Sequence, residues 1–174
     1  MVTEINHQLV KERILEIILA NPQLYNEQVP SKALLNNGYV GLPDGYNWSN
    51  WPFPYVCITN DPNFETDKPF GGVVGNMPNA SYSTSFHVVN YMIIIMVSGP
   101  NAAKVEATLD NLHQLVKQTL KSNFQFANPE TELNDLNIEQ SILTTSKYVD
   151  GGSHKGKTIN GIIINCQVKI ITGQ

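Results

Sequence analysis

The segment Phe86 to Val97 constrains this chain more than any other stretch. Written as a strand, it places Phe86, Val88, Met92, Ile94 and Met96 on one face and Val89, Tyr91, Ile93, Ile95 and Val97 on the other, because successive side chains of a strand point to opposite sides. Both faces are apolar. A strand in a sheet that packs on one side only alternates with polar residues, so this one must be covered on both sides, by helices or by another subunit.

Ser98-Gly99-Pro100-Asn101 then turns the chain into a helix expected over Pro100 to Ser122, where Val105, Leu109, Leu112, Val116 and Leu120 recur at three- and four-residue spacing. Pro100 suits a helix start and Asn123 a helix stop. Glu106, Asp110, Lys117 and Lys121 fall mainly off the stripe, and His113, flanking it, reads as a surface or packing residue without a partner. Two further strands follow, Ile138 to Tyr148 and Ile159 to Thr172. The last alternates Ile162, Ile164, Cys166, Val168 and Ile170 with Asn165, Gln167 and Lys169, so one face is core. The intervening Asp150-Gly151-Gly152-Ser153-His154-Lys155-Gly156-Lys157 is rich in turn residues and makes the pair an antiparallel hairpin with a basic tip. It lacks the GKS or GKT ending of a phosphate loop.

The first half is less regular. Ile5, Leu9, Val10, Ile14, Ile17 and Ile18 form a helical stripe ended by Asn21-Pro22, with Glu4, Lys11, Glu12, Arg13 and Glu16 on the polar face. From Gln23 to Phe53 the pattern is irregular and aromatic, with Tyr39, Tyr46, Trp48, Trp51 and Phe53, either a lid over the core or an anchor for a neighbouring chain. Pro54 to Asn60 reads as a strand, and Asp61 to Ser83, with three prolines and a Gly71-Gly72 pair, as a long arm or loop. The fold class expected is α+β: a small, mostly antiparallel sheet packed with two helices and carrying long loop insertions. One domain spans 1–174, comprising an N-terminal helix (1–21), an aromatic-rich irregular segment (22–53) and a sheet-plus-helix core (54–172).

Composition narrows the chemistry. A net charge of −4 and a pI near 5.5 provide no basic field for holding nucleic acid tightly. Only 15% of residues are charged while asparagine occurs 20 times, so a largely neutral polar surface is expected, compatible with subunit contacts. Cys57 and Cys166 sit inside strands and read as small buried apolar residues. His7, His87, His113 and His154 are scattered, no nucleophile lies in a strand-turn-helix elbow, and the densest acidic cluster, Asp61, Glu65 and Asp67, lacks the rhythm of a calcium loop. No catalytic residue, metal site or cofactor is therefore expected, and the chain reads as a non-enzyme. No apolar run approaches the roughly 18 residues that span a bilayer, and the start Met1-Val2-Thr3-Glu4 is unlike a signal peptide, which places the protein in the cytoplasm where it is made.

The strand PYVCIT, the strand HVVNYMIIIMVSG, the helix AAKVEATLDNLHQLVKQTL and a closing hairpin whose DGG precedes NGIIINCQVKI occur in that order between Pro54 and Ile171. This succession, with Gly161 early in the last strand, resembles the tail terminator proteins of long-tailed bacteriophages, also called tail-completion or head-tail joining proteins. The longer first half, Gln23 to Phe53 and Asp61 to Ser83, has no counterpart in that pattern. The resemblance implies a structural virion protein at the tail neck, assembled in the host cytoplasm. It would form a ring, typically of six copies, at the head-proximal end of the tail tube, end tube polymerisation and join the tail to the head connector. Implied partners are further copies of itself, the tail tube protein and a connector or adaptor protein, with DNA only passing through the lumen and no membrane. Candidate subunit-interface residues are Tyr46, Trp48, Trp51 and Phe70 from the loops and Lys155 and Lys157 from the hairpin tip. The alternatives are another connector adaptor, a tail tube subunit, or a small-molecule-binding or enzymatic α+β domain.

Overall fold

The computed structural model describes residues 5–29, 34–41, 52–61 and 85–172. Two helices, α1 (His7–Ala20) and α2 (Ala102–Ser122), accompany five strands: β1 (Asn37–Val40), β2 (Tyr55–Asn60), β3 (Ser85–Gly99), β4 (Ile138–His154) and β5 (Lys157–Thr172). They form one sheet in the order β1-β2-β3-β5-β4. All neighbours are antiparallel except β1 and β2, which run parallel from Asn37↔Tyr55 to Val40↔Ile58. The architecture is α+β, as expected, with a mixed, mostly antiparallel sheet.

β3 is central because it can bury both its edges and its length. It pairs with β2 from Asn60↔Tyr91 to Tyr55↔Met96 and with β5 without interruption from Ser85↔Thr172 to Gly99↔Thr158. Its odd-numbered residues Val89, Tyr91, Ile93, Ile95 and Val97 join Val56 and Ile58 of β2 and Ile162, Ile164, Cys166, Val168 and Ile170 of β5 in the main core. The helices close that core with Val10, Ile14, Ile17 and Ile18 from α1 and Val105, Leu109, Leu112, Val116 and Leu120 from α2. Every one of the five stripe residues of α2 is buried, and each such side chain is worth roughly 1.5–3 kcal/mol against exposure. Leu9, which the periodicity assigns to the α1 stripe, is instead 46% exposed.

Asparagines begin and end both helices. Asn6 Oδ1 accepts from the Leu9 amide at 3.1 Å and Asn101 Oδ1 from the Lys104 amide at 3.3 Å, satisfying N–H groups that have no partner within the helix. Pro100 consequently lies before the cap rather than in the first turn. At the other ends, Asn21 and Asn123 are the C-terminal caps, and Asn21 Nδ2 donates to Thr119 Oγ1 at 2.8 Å, tying the end of α1 to α2. Two later loops repeat one clamp: Asn123 bonds both the amide and the carbonyl of Ala127, and Asn134 does the same with Ile138. The first clamp holds Phe126, fully buried at φ 49°. Much of the asparagine excess is thus spent on local backbone rather than on a featureless polar surface.

Arg13 departs from the expectation that it belongs to a solvated helix face. It is 7% exposed, donates to the Phe126 carbonyl at 3.2 Å, and makes a two-pronged bond to Asp135 at 2.7 and 2.9 Å, with Glu16 taking Nε at 3.1 Å. The planar guanidinium matches a carboxylate in this way, and Glu16 and the Phe126 carbonyl take two of the three protons that remain.

Two further corrections concern strand limits. The segment 22–53 contains β1, so the sheet begins before residue 54. β4 runs on to His154 rather than ending near Tyr148; Gly151-Gly152 is a bulge inside the strand, marked by a register shift between Asp150 and Ser153 and by φ 75° at Gly152. The turn itself is only Lys155-Gly156, at φ 51° and 75°, between the paired His154 and Lys157, which is the left-handed two-residue loop that suits hairpin twist.

Asp135 has its pKa lowered from the ordinary 3.8, first by the hydrogen bond from Arg13. Its stabilising contribution is therefore complete above the unfolded value and disappears as pH falls through the lower folded value. Because the carboxylate is half exposed, Asp135→Asn should cost about 1 kcal/mol at neutral pH, measured by urea unfolding, and the gap from the parent should close in strong acid.

At Gly161 an added Cβ would lie 2.3 Å from Met96 Sδ and 3.1 Å from the Ile95 carbonyl oxygen. Gly161→Val should lower stability by about 1–3 kcal/mol. Adding Met96→Ala should recover part of the loss in a double-mutant cycle, since Met96 is the nearest obstacle.

Candidate assembly surface

The two faces of the sheet are built differently. Both helices contribute to the core on one side, whereas a second cluster on the other side consists of Tyr55, Cys57, Met96 and Ile159, with Tyr39, Phe53 and Ile94 partly buried against it. Among the described residues neither helix enters this second cluster. The aromatic part is a contact chain in which Tyr55 meets Tyr39 edge-on at 6.0 Å and Phe53 at 5.2 Å between ring centroids. Farther along the same face, Val88, Met92, Ile94, Ile163 and Ile171 are only partly buried, while Tyr91, Ile93 and Ile95 on the helix side are 0% exposed. The two-sided apolar strand expected from the sequence is thus present, with two helices on one side and a shallower apolar surface on the other.

β4 forms one edge of the sheet and carries Ile142 and Tyr148, exposed at 47% and 57%. Its register shifts three times against β5, and near its start the Ser141 amide donates to the Phe124 carbonyl at 2.7 Å. Bulges and outside hydrogen bonds of this kind limit how an edge can pair with other strands. Polar contacts fasten β4 to α2: His113 Nε2 lies 2.9 Å from Ser146 Oγ, and the Tyr148 hydroxyl donates to Asp110. His113 therefore has a partner, contrary to the sequence reading. Burial lowers its pKa, with Lys117 adding to the effect, while the bond to Asp110 raises that of Tyr148.

At the end of the sheet where β4 meets β5, two recesses lie on opposite sides. On the side of the second cluster, Phe53, Ser98, His154, Lys155, Lys157 and Ile159 line a shallow recess of about 140 Å³. On the helix side, Glu106, Asp110, Tyr148, Val149, Asp150 and Asn160 line an open groove of about 440 Å³. Lys155 and Lys157 were the interface candidates of the hairpin, and the fold brings them together with Phe53. Tyr46, Trp48, Trp51 and Phe70 lie outside the described residues, as do Glu65 and Asp67 of the acidic cluster. The groove was not foreseen. Its one local signal is Glu106 and Asp110, like charges four apart on an exposed helix face, a pairing that weakens a helix unless something else uses it.

Among the described residues no group of three or more His, Cys, Asp and Glu is arranged to hold a metal ion. Cys57 and Cys166 are buried free thiols, one in each cluster, and burial pushes each up to about 12. No helix among the described residues is long and apolar enough to cross a membrane. Compared with known proteins, the chain matches no family model and no curated protein.

The thiols generate a direct check. At mildly alkaline pH a disulfide reagent should leave Cys57 and Cys166 unmodified in the folded protein and titrate both in guanidinium, because the thiolate is the reacting species. Rapid labelling of either without denaturant would contradict the burial.

Proposed function

We propose that this chain is a structural assembly subunit of a virion, a tail terminator that forms a ring at the head-proximal end of a phage tail tube. In this role it ends tube growth and joins the tail to the head connector, with DNA passing through the lumen. The observation that carries the reading is the one-sided placement of α1 and α2: the main core is closed on their side, while the opposite face continues outward from Tyr55, Cys57, Met96 and Ile159 into partly buried Val88, Met92, Ile94 and Ile163. Apolar surface of this kind beside a charged hairpin tip suits contact with a neighbouring subunit.

The order of elements supports the same reading. α2 links the central strand β3 to the terminal β5–β4 hairpin, the arrangement behind the resemblance noted in the sequence. A mildly acidic chain also suits a lumen through which DNA must slide, since a basic lining would retain it.

The test is incubation of the purified protein with tail tubes, followed by electron microscopy and measurement of tube length. Rings seated at one end of each tube, with elongation halted, are expected. A protein indifferent to tube ends would remove the reading, and one that polymerises alone into long tubes would replace it with a tube subunit.

A further inference from the structure

The two recesses at the β4–β5 end are opposite in charge and lie on opposite faces. The tip presents His154, Lys155 and Lys157, all exposed, around the small recess with Phe53 and Ile159. The groove on the helix side presents the carboxylates of Glu106, Asp110 and Asp150 around Tyr148. Their own chain leaves these charges largely unspent. Asp110 accepts from the Tyr148 hydroxyl and Asp150 from the Gly152 amide at 2.7 Å, yet among the described residues none of Glu106, Asp110, Asp150, Lys155 and Lys157 is in an ion pair. The tip is also shaped for insertion, being a tight two-residue turn at the end of a long hairpin.

We infer that the hairpin tip of one copy seats in the groove between α2 and β4 of the next, its lysines facing Glu106 and Asp150. This rests on the assembly reading above and names the contact that would join the subunits. Since tip and groove face opposite ways from the sheet, a neighbour that occupies the groove leaves its own groove free for a third copy. Such a head-to-tail contact closes into a ring when the rotation between copies divides the circle, and runs on as a filament when it does not. Opposite charges at the contact set register and speed encounter, and they make association sensitive to salt.

Charge reversal on each side provides the test, in the full chain, with mass photometry in solution and capping of tail tubes as the two readouts. Lys155→Glu with Lys157→Glu, and separately Glu106→Lys with Asp150→Lys, should each raise the concentration needed for assembly about tenfold or more. Mixing the two reversed proteins in equal amounts should restore assembly, because every tip then meets a groove of opposite charge. The neutral pair Lys155→Gln and Lys157→Gln should flatten the salt dependence of the parent, a readout that survives should a reversed variant fold poorly by circular dichroism. Parent-like assembly by both reversed variants, or failure of the mixture to recover, overturns this contact while leaving the assembly role in place. A parent that neither self-associates nor caps tubes removes both. Reduced affinity for duplex DNA in the Lys155→Glu, Lys157→Glu protein with assembly unchanged would mean that the tip meets phosphate instead, and the contact would again be wrong.

Discussion

The uninterrupted pairing of β3 with β5 is the constraint on which the remaining structure depends. Fifteen successive positions are matched, from Ser85↔Thr172 to Gly99↔Thr158, with no bulge. A slip of one residue would turn every side chain of either strand to the opposite face. On β5 that slip would exchange Ile162, Ile164, Cys166, Val168 and Ile170 for Asn165, Gln167 and Lys169 against the helices, so the helix-side core itself holds the register. β2 can then add to the free edge of β3, and β4 to the free edge of β5. Irregularity is confined to the rim, where β4 shifts register three times.

What could be read in the sequence is what this ladder makes periodic. α2 and β5 were legible because a helix lying on a sheet and a strand covered on one side leave unmixed periods of 3.6 and 2. The two-sided strand was legible from the opposite signal, an apolar run without polar alternation, though not the choice of face for the helices. β1 was missed because its four residues, Asn37-Gly38-Tyr39-Val40, are all partly buried and include a glycine, leaving too little alternation to recognise. Gly38 has a purpose visible only in three dimensions: a Cβ there would stand 2.4 Å from Leu15 Cδ1, so its absence lets α1 settle on β1. The full length of β4 was hidden because an exposed edge strand has little burial to pattern it, and a glycine pair reads as a turn whether it ends a strand or bulges one.

Of the candidate assembly surface, the hairpin lysines were legible as a basic tip, while the groove was not, since Asp150 and Tyr148 join Glu106 and Asp110 only once β4 lies beside α2. Arg13 is the sharper case. Its position among Lys11, Glu12 and Glu16 marks it as one more solvated charge, and no local pattern announces a carboxylate 122 residues away. Asparagine shows the reverse situation, in which a compositional excess was evident and its use was not. Asn6, Asn21, Asn101 and Asn123 sit at the four helix ends, where a short amide side chain can bond nearby backbone more readily than in a helix interior.

The same arginine sets an order of events during synthesis. Its ties to Phe126 and Asp135 span 113 and 122 positions, so α1 leaves the ribosome long before either partner exists. β5, which lies with β3 beneath α2, is made later still. Pairings this distant in the chain are slow to close because they must overcome the entropy of a long loop. β1 and β2 can meet α1 early, but α2 and the Asp135 clamp reach it only later, and until then its apolar stripe of Val10, Ile14, Ile17 and Ile18 is the part of the nascent protein that a chaperone would find.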